Sequence, residues 1–112
     1  MMKFNSNQNN HLTFNERCYE LLLKIPKGRV TTYKAIAEAL NTKAYQAVGN
    51  AMNKNPNPIT VPCHRVVNAN GDLGGYAFGS DKKIALLTAE GVVIHGNRIK
   101  NFKALFFDFS KC

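Results

Sequence analysis

Val61-Pro62-Cys63-His64-Arg65-Val66 gathers more reactive side chains than any other stretch of the chain. Cysteine is scarce, three in 112 residues, and Cys63 stands between a proline, an imidazole and a guanidinium. A thiol attacks only as its thiolate, and a neighbouring base or cation brings the thiolate within reach of neutral pH. Pro62 fixes its own φ and so helps hold the next side chain in one place. The same residues admit a plainer reading, because a cysteine after apolar residues is also a small buried hydrophobe. Adjacent residues on a strand point to opposite faces. Cys63 and His64 can therefore cooperate only on a tight turn or helical start, or through a water. Metal binding by Cys63, His64 and His95 finds little support in their spacing, so no metal and no cofactor is expected.

A nucleophile in a turn needs elements to hold it. Residues 1–12 are Asn-rich and aperiodic and are expected to be a flexible leader to a single domain over 13–112. Thr13 with Glu16 is a capping-box signature, and Phe14, Cys18, Leu21, Leu22 and Ile25 follow at helical spacing until Pro26 and Gly28. Cys18 thus reads as packing. Thr31 or Thr32 is expected to cap a second helix over 33–40, with Ile36, Ala37 and Leu40 inward. Asn41-Thr42-Lys43 leads to a third helix over about 44–54 with Val48, Ala51 and Met52 buried. Its other side offers Tyr45, Gln46, Gly49, Asn50, Asn53 and Lys54. Two short helices on a tight connection fit a DNA-binding helix-turn-helix, and also any small helical hairpin. Gly49 within a helix costs about 1 kcal/mol relative to alanine, which implies close approach of another backbone, a partner's or a neighbouring helix's.

Beyond the cysteine, Val66-Val67 and the Asn70-Gly71 turn predict a short hairpin. Gly74-Gly75-Tyr76-Ala77-Phe78-Gly79 lacks the spacing and the following Lys-Ser/Thr of a nucleotide-phosphate loop. A wall on which a flat base can stack is the better reading. Ser80 is expected to cap a long helix over 81–89, with Ile84, Leu86 and Leu87 inward and Gly91 ending it. Val92-Val93-Ile94 and Ile99 bracket a His95-Gly96-Asn97 turn, and the aromatic tail over 102–109 should pack back on the core. The fold class is mostly α with a short β-hairpin.

Lys plus Arg total 15 against seven acids, a net charge of +8 and a pI near 9.6. Such an excess predicts a polyanionic partner, nucleic acid being the usual one, although a basic solvated face would give the same sum. The odd, widely spaced cysteines exclude a disulfide framework and a zinc ribbon. With no long apolar run and no signal peptide, a soluble, cytoplasmic protein with no membrane partner is expected.

Pro62-Cys63-His64-Arg65-Val66 resembles the active-site signature of the O6-alkylguanine-DNA alkyltransferases, single-use DNA repair proteins. The likeness runs from Pro26-Lys27-Gly28-Arg29-Val30-Thr31-Thr32-Tyr33 through Ala47-Val48-Gly49-Asn50-Ala51-Met52 and Asn55-Pro56. It continues through Gly74-Gly75-Tyr76 to Leu86-Leu87 and Glu90-Gly91, with the signatures in family order. The resemblance implies the family's C-terminal domain, winged helix-turn-helix-like, acting as a monomer on double-stranded DNA that contains O6-alkylguanine. It makes Cys63 the alkyl acceptor after the nucleotide is flipped out. His64, through a water and backed by Glu90, takes the thiol proton. Tyr33 helps rotate the phosphate and protonate the base, and Asn55 ties the recognition helix to the active-site loop. Tyr76 lines the substrate pocket, with Pro62, Gly75, Ala77 and Phe78 beside it. Arg65 is expected to pair internally. Thr32, Tyr33, Tyr45, Gln46, Ala47, Gly49, Asn50 and Lys54 would meet DNA, with the recognition helix in the minor groove.

Two departures stand out. Gln46 replaces the family's intercalating arginine, and the usual N-terminal domain is missing from this chain. A minimal chain also resembles the alkyltransferase-like proteins, which bind lesions without transfer and flag them for excision repair. Those usually carry Trp in place of the nucleophile, whereas Cys63 is present here.

Overall fold

Val66 and Val67 lie on the seam between two apolar clusters, and most of the architecture follows from what each cluster must cover. The structure, a computed structural model, describes residues 12–111. The expected leader lies outside the described residues except for Leu12, and so does Cys112.

Helix α1, Phe14–Leu22, opens on a complete capping box. Thr13 Oγ1 accepts from Glu16 N–H at 3.1 Å, and Glu16 Oε1 accepts from Thr13 N–H at 2.9 Å. These bonds satisfy donors that a helix start otherwise leaves unpaired. Cys18 and Leu22 are fully buried, so Cys18 packs as expected. Thr32 rather than Thr31 caps α2, Tyr33–Ala39, accepting from Ala35 N–H at 2.9 Å. This helix ends one residue sooner than expected, with Leu40 as its half-buried cap. Asn41 then turns the chain in the left-handed region, φ 58°, and α3 follows over Tyr45–Asn53. Val48, Ala51 and Met52 of α3 join Cys18, Leu22, Ile36 and Cys63 in the first cluster. Each large aliphatic side chain so buried is worth roughly 1.5–3 kcal/mol of transfer free energy.

The Val66–Val67 segment corrects the expected hairpin. These residues form β2, which pairs parallel with β1, Thr31–Thr32, in the register Thr31 to Val66 and Thr32 to Val67. Asn70-Gly71 does turn, with Gly71 N–H on Asn68 O at 2.9 Å, but the chain beyond it does not return to β2. Both valines are buried, Val66 in the first cluster and Val67 in the second. A strand buried on both faces suits a parallel pairing. The hairpin is instead β3, Ile94–His95, with β4, Arg98–Ile99, about the turn containing Gly96.

Helix α4 spans Ser80–Ala89 and corrects a second expectation. Gly79, at φ 95°, occupies the cap, and Ser80 is the first helical residue with no capping bond. Leu87 is buried in the second cluster with Val30, Val67, Leu73, Val92 and Ile99, while Ile84 and Leu86 are half-buried. The aromatic tail does fold back. Arg29 donates to Leu105 O and Phe106 O at 2.9 and 2.8 Å, and Thr31 Oγ1 donates to Phe107 O at 3.0 Å. The short α5, Phe102–Leu105, lies in this segment. Among the described residues, no helix is long and apolar enough to cross a membrane.

Candidate active site

Cys63–Arg65 forms one turn of 3₁₀ helix between Pro62 and β2. The turn removes the opposite-face problem of an extended chain, and both Cys63 and His64 are buried, at 4% and 0% exposure. Asn55 holds the approach to it. Its Nδ2 donates to Val61 O at 2.7 Å while its Oδ1 accepts from Asn57 N–H at 3.0 Å. The end of α3 is thereby tied to the segment that enters the cysteine turn.

Glu90, the C-terminal cap of α4, is the anchor behind the turn. Its carboxylate takes Arg65 Nε at 2.9 Å and Arg65 Nη2 at 2.7 Å, and lies 2.9 Å from His64 Nε2. Arg65 Nη1 also donates to Ile25 O at 2.8 Å, so the arginine pairs internally. Burial pushes the Glu90 acid up, but the Arg65 and His64 hydrogen bonds outweigh it and hold the carboxyl below its ordinary value. An ionised carboxylate only accepts, so His64 Nε2 carries the proton and donates it. That tautomer leaves a lone pair on Nδ1, which is buried and has no hydrogen-bond partner among the described residues. Burial, outweighing Glu90, lowers the His64 pKa, which keeps the imidazole neutral at physiological pH. Burial also raises the Cys63 thiol, with Asn55 and Lys83 pulling the other way. The resting group is therefore a thiol, one residue away from a base with a free lone pair.

Lys83 escaped the sequence reading. It is fully buried, and its ammonium donates to Val66 O at 2.7 Å, Leu73 O at 2.5 Å and Gly75 O at 2.9 Å. Burial pushes its pKa down to about 8. Gly75 O also accepts from the Tyr33 hydroxyl at 3.3 Å. One ammonium thus ties the strand after the Cys63 turn, the glycine loop and, through that loop, Tyr33. Its helical offset from Leu87 was the available signal, since i and i+4 share a face.

A cavity of about 220 Å³ opens beside the thiol, with Cys63 in its wall. Tyr33, Gln46, Gly49 and Asn50 line it from the helices, and Gly75, Tyr76 and Ala77 line it from the loop. Met52 and Asn53 complete it, two residues not expected to form the pocket. An added Cβ at Gly49 would meet nothing within 4 Å, which removes helix packing as the reason for this glycine. The Tyr76 hydroxyl is buried and unpartnered among the described residues, which leaves a donor for a ligand.

Other expected residues lie elsewhere. His64 and Glu90 stand behind the thiol, outside the cavity lining, and Pro62 is buried beneath the turn. Phe78 is outside the lining too, 59% exposed, with its ring edge-on to Tyr76 at 5.6 Å. Thr32 is 4% exposed and spends its hydroxyl on the α2 cap. Ala47 is half-buried, and Lys54 is exposed at the end of α3. Tyr45 faces a neighbouring recess shared with Tyr33.

Residues 13–92 match the family described as 6-O-methylguanine DNA methyltransferase, DNA binding domain. The chain belongs to that family. It is 51% identical over 78 residues to the methylated-DNA–protein-cysteine methyltransferase of Methanosarcina mazei, covering 69% of this chain and 49% of that protein. The chain thus spans about half the length of the curated relatives it matches. Among solved structures, Mycobacterium tuberculosis OGT in complex with DNA superposes with a TM-score of 0.68 at 44% identity, covering 70% of this chain and 50% of that one. S. pombe Atl1, in complex with damaged DNA containing O6-carboxymethylguanine, superposes with a TM-score of 0.72 at 31% identity. That match covers 85% of this chain and 94% of Atl1. The methyltransferase family fold, helical with small sheets, therefore holds for this chain.

Proposed function

We propose that residues 13–112 act as one DNA-binding domain that repairs DNA by taking the alkyl group of O6-alkylguanine onto Cys63, once per molecule. The observation that carries this reading is the unpartnered Nδ1 of His64, adjacent in sequence to a buried thiol, with Nε2 held by Glu90. An alkyl carbon on a stacked base is out of reach, so the nucleotide must rotate out of the duplex into the cavity. His64 Nδ1, through a water, takes the Cys63 proton. The thiolate attacks the alkyl carbon; an S–C bond forms, the C–O6 bond breaks, and its electron pair stays on the guanine. Tyr33, whose hydroxyl sits on Gly75 O at the cavity wall, supplies the base with a proton that the one lost from the thiol replaces. A thioether and a normal guanine result. Among the described residues no second cysteine lines the cavity, and a thioether carbon is not readily displaced, so one protein molecule repairs one base. The net charge of +8 and the DNA bound in the matching M. tuberculosis OGT and S. pombe Atl1 complexes support DNA as the partner, which the proposal takes as a duplex bound by one copy of the chain.

A second reading has its own observation. The Atl1 match spans nearly all of that protein, and Gln46 offers the cavity mouth no charge. Lesion binding without transfer would fit both. Intact mass after incubation with a duplex carrying one O6-methylguanine separates the two. A gain of one methylene mass on Cys63, saturating at one per molecule, is the expected result. Unchanged mass with lesion-selective binding would overturn transfer in favour of sensing.

A further inference from the structure

Beside the cavity lies a second recess of about 280 Å³, lined by Tyr33, Lys34, Tyr45, Asn68 and Ala69. Tyr33 belongs to both, so its ring is the partition between them. Consecutive residues of a helix point about 100° apart. Gln46 accordingly faces the cavity while Tyr45, at the start of α3, faces the recess. Tyr45 is 44% exposed, an aromatic ring kept in water with no side-chain hydrogen bond among the described residues. The glycine loop packs closely on this partition: Gly74 sits at φ +71°, and a Cβ there would come within 2.9 Å of Asn68 Oδ1 and 3.4 Å of Tyr33 Cε2.

We propose that this recess is a subsite for one nucleotide of the damaged strand, an immediate neighbour of the flipped one. The inference rests on the alkyltransferase reading and names a contact which that reading lacks. The Tyr45 ring stacks on the neighbouring base, which loses a stacking partner when the damaged base leaves the duplex. The Lys34 ammonium takes the phosphate between the two nucleotides, and the Asn68 amide reaches the sugar edge. An aromatic face accepts any base, so the subsite is indifferent to sequence, as a repair protein requires. It also offsets what Gln46 lacks, because stacking holds the gap open without a cation at the cavity mouth.

The test measures affinity and single-turnover transfer for Tyr45→Ala and Tyr45→Phe on three duplexes. One carries O6-methylguanine with normal neighbours, and the others carry an abasic residue 5′ or 3′ to it. On the normal duplex, Tyr45→Ala is expected to lose roughly tenfold in affinity and Tyr45→Phe to retain it. On one abasic duplex the wild type should fall by a similar factor and Tyr45→Ala no further. Lys34→Gln should lower the salt-dependence slope by about one. Equal affinity of Tyr45→Ala and wild type on the normal duplex would overturn the subsite. So would a Tyr45→Ala loss that persists undiminished on both abasic duplexes. Failure of the parent reading looks different, since the wild type would then gain no mass whatever its affinity for the alkylated duplex.

Discussion

The two sides of Cys63 are built on opposite plans. Behind it, Glu90 takes Arg65 and His64, Lys83 takes three carbonyls, and Asn55 holds Val61. In front of it, along α3, the side chains of Tyr45, Gln46, Asn50, Asn53 and Lys54 have no hydrogen bond among the described residues. Polar groups that are already paired hold a geometry, and their ordering cost is met on folding. Polar and aromatic groups left in water hold nothing in the free protein and are available to a partner. In the proposed transfer, the chemistry is pre-arranged on one side and DNA recognition falls to the other. Substitutions behind the thiol should damage the chemical step or stability, and those in front should alter binding and nucleotide flipping while leaving stability alone.

The sharpest break of that division is Cys63→Ser. Transfer should become undetectable by intact mass, while affinity for a lesion duplex stays near the wild-type value because the α3 face is untouched. Retained methyl uptake would remove Cys63 from its role. Next comes Lys83→Met, which keeps the length of the side chain and removes the donor from three buried carbonyls. A loss of roughly 3 kcal/mol in denaturant unfolding is expected, against almost none for Gln46→Ala on the exposed face. The lysine also leaves a pH signature. Its folded pKa of about 8 lies below its ordinary 10.5. Between those values the unfolded chain holds a proton that the folded chain has lost, so this group's contribution to stability rises with pH across the window. The stability gap between wild type and Lys83→Met should widen from pH 8 toward 10.5. A constant gap would mean the ammonium is not titrating there.

Glu90→Gln tests the same side more gently. The carboxylate raises the His64 pKa against the larger effect of burial. Its removal should slow transfer roughly 10²-fold and move the acid limb of the rate profile to lower pH. Glu90 itself has a depressed carboxyl, so its stabilisation is complete above the ordinary 4.5 and is lost as pH falls through its lower folded value. The variant should therefore lose less stability than the wild type on acidification. An acid limb that does not move would show that His64 is not the base seen in the kinetics.

What could be read in the residues divides along similar lines. The capping box at Thr13 and Glu16 and the buried faces of α1 to α3 are local patterns, and each was legible. The pairing of Val66-Val67 was not, because Asn70-Gly71 is a strong local turn signal and the true partners, Thr31–Thr32, are distant in sequence. Ser80 looked like a cap because the positive φ of Gly79, which displaces it, leaves no trace in composition. On the site, Cys63, His64, Glu90 and Asn55 were legible through family resemblance. Lys83 was passed over because a lysine ordinarily reads as solvated, and only the fold brings three carbonyls around its nitrogen.

The smallest effect expected is on the open side. Gln46 lines the cavity with an uncharged amide, and Gln46→Arg would place a planar cation at the mouth without disturbing any existing bond. On a duplex, where a gap must be held open, transfer should quicken several-fold, a change of about 1 kcal/mol in the barrier. On a single-stranded oligonucleotide carrying the same lesion there is no gap to hold, and the two proteins should transfer at equal rates. Stability should be unchanged, because the side chain is exposed on α3. A gain in both substrates would signal simple electrostatic attraction to phosphate. A gain in neither would mean that Tyr45 and the recess already supply what the arginine would add, which the Tyr45→Ala, Gln46→Arg double variant would reveal by restoring the arginine's advantage.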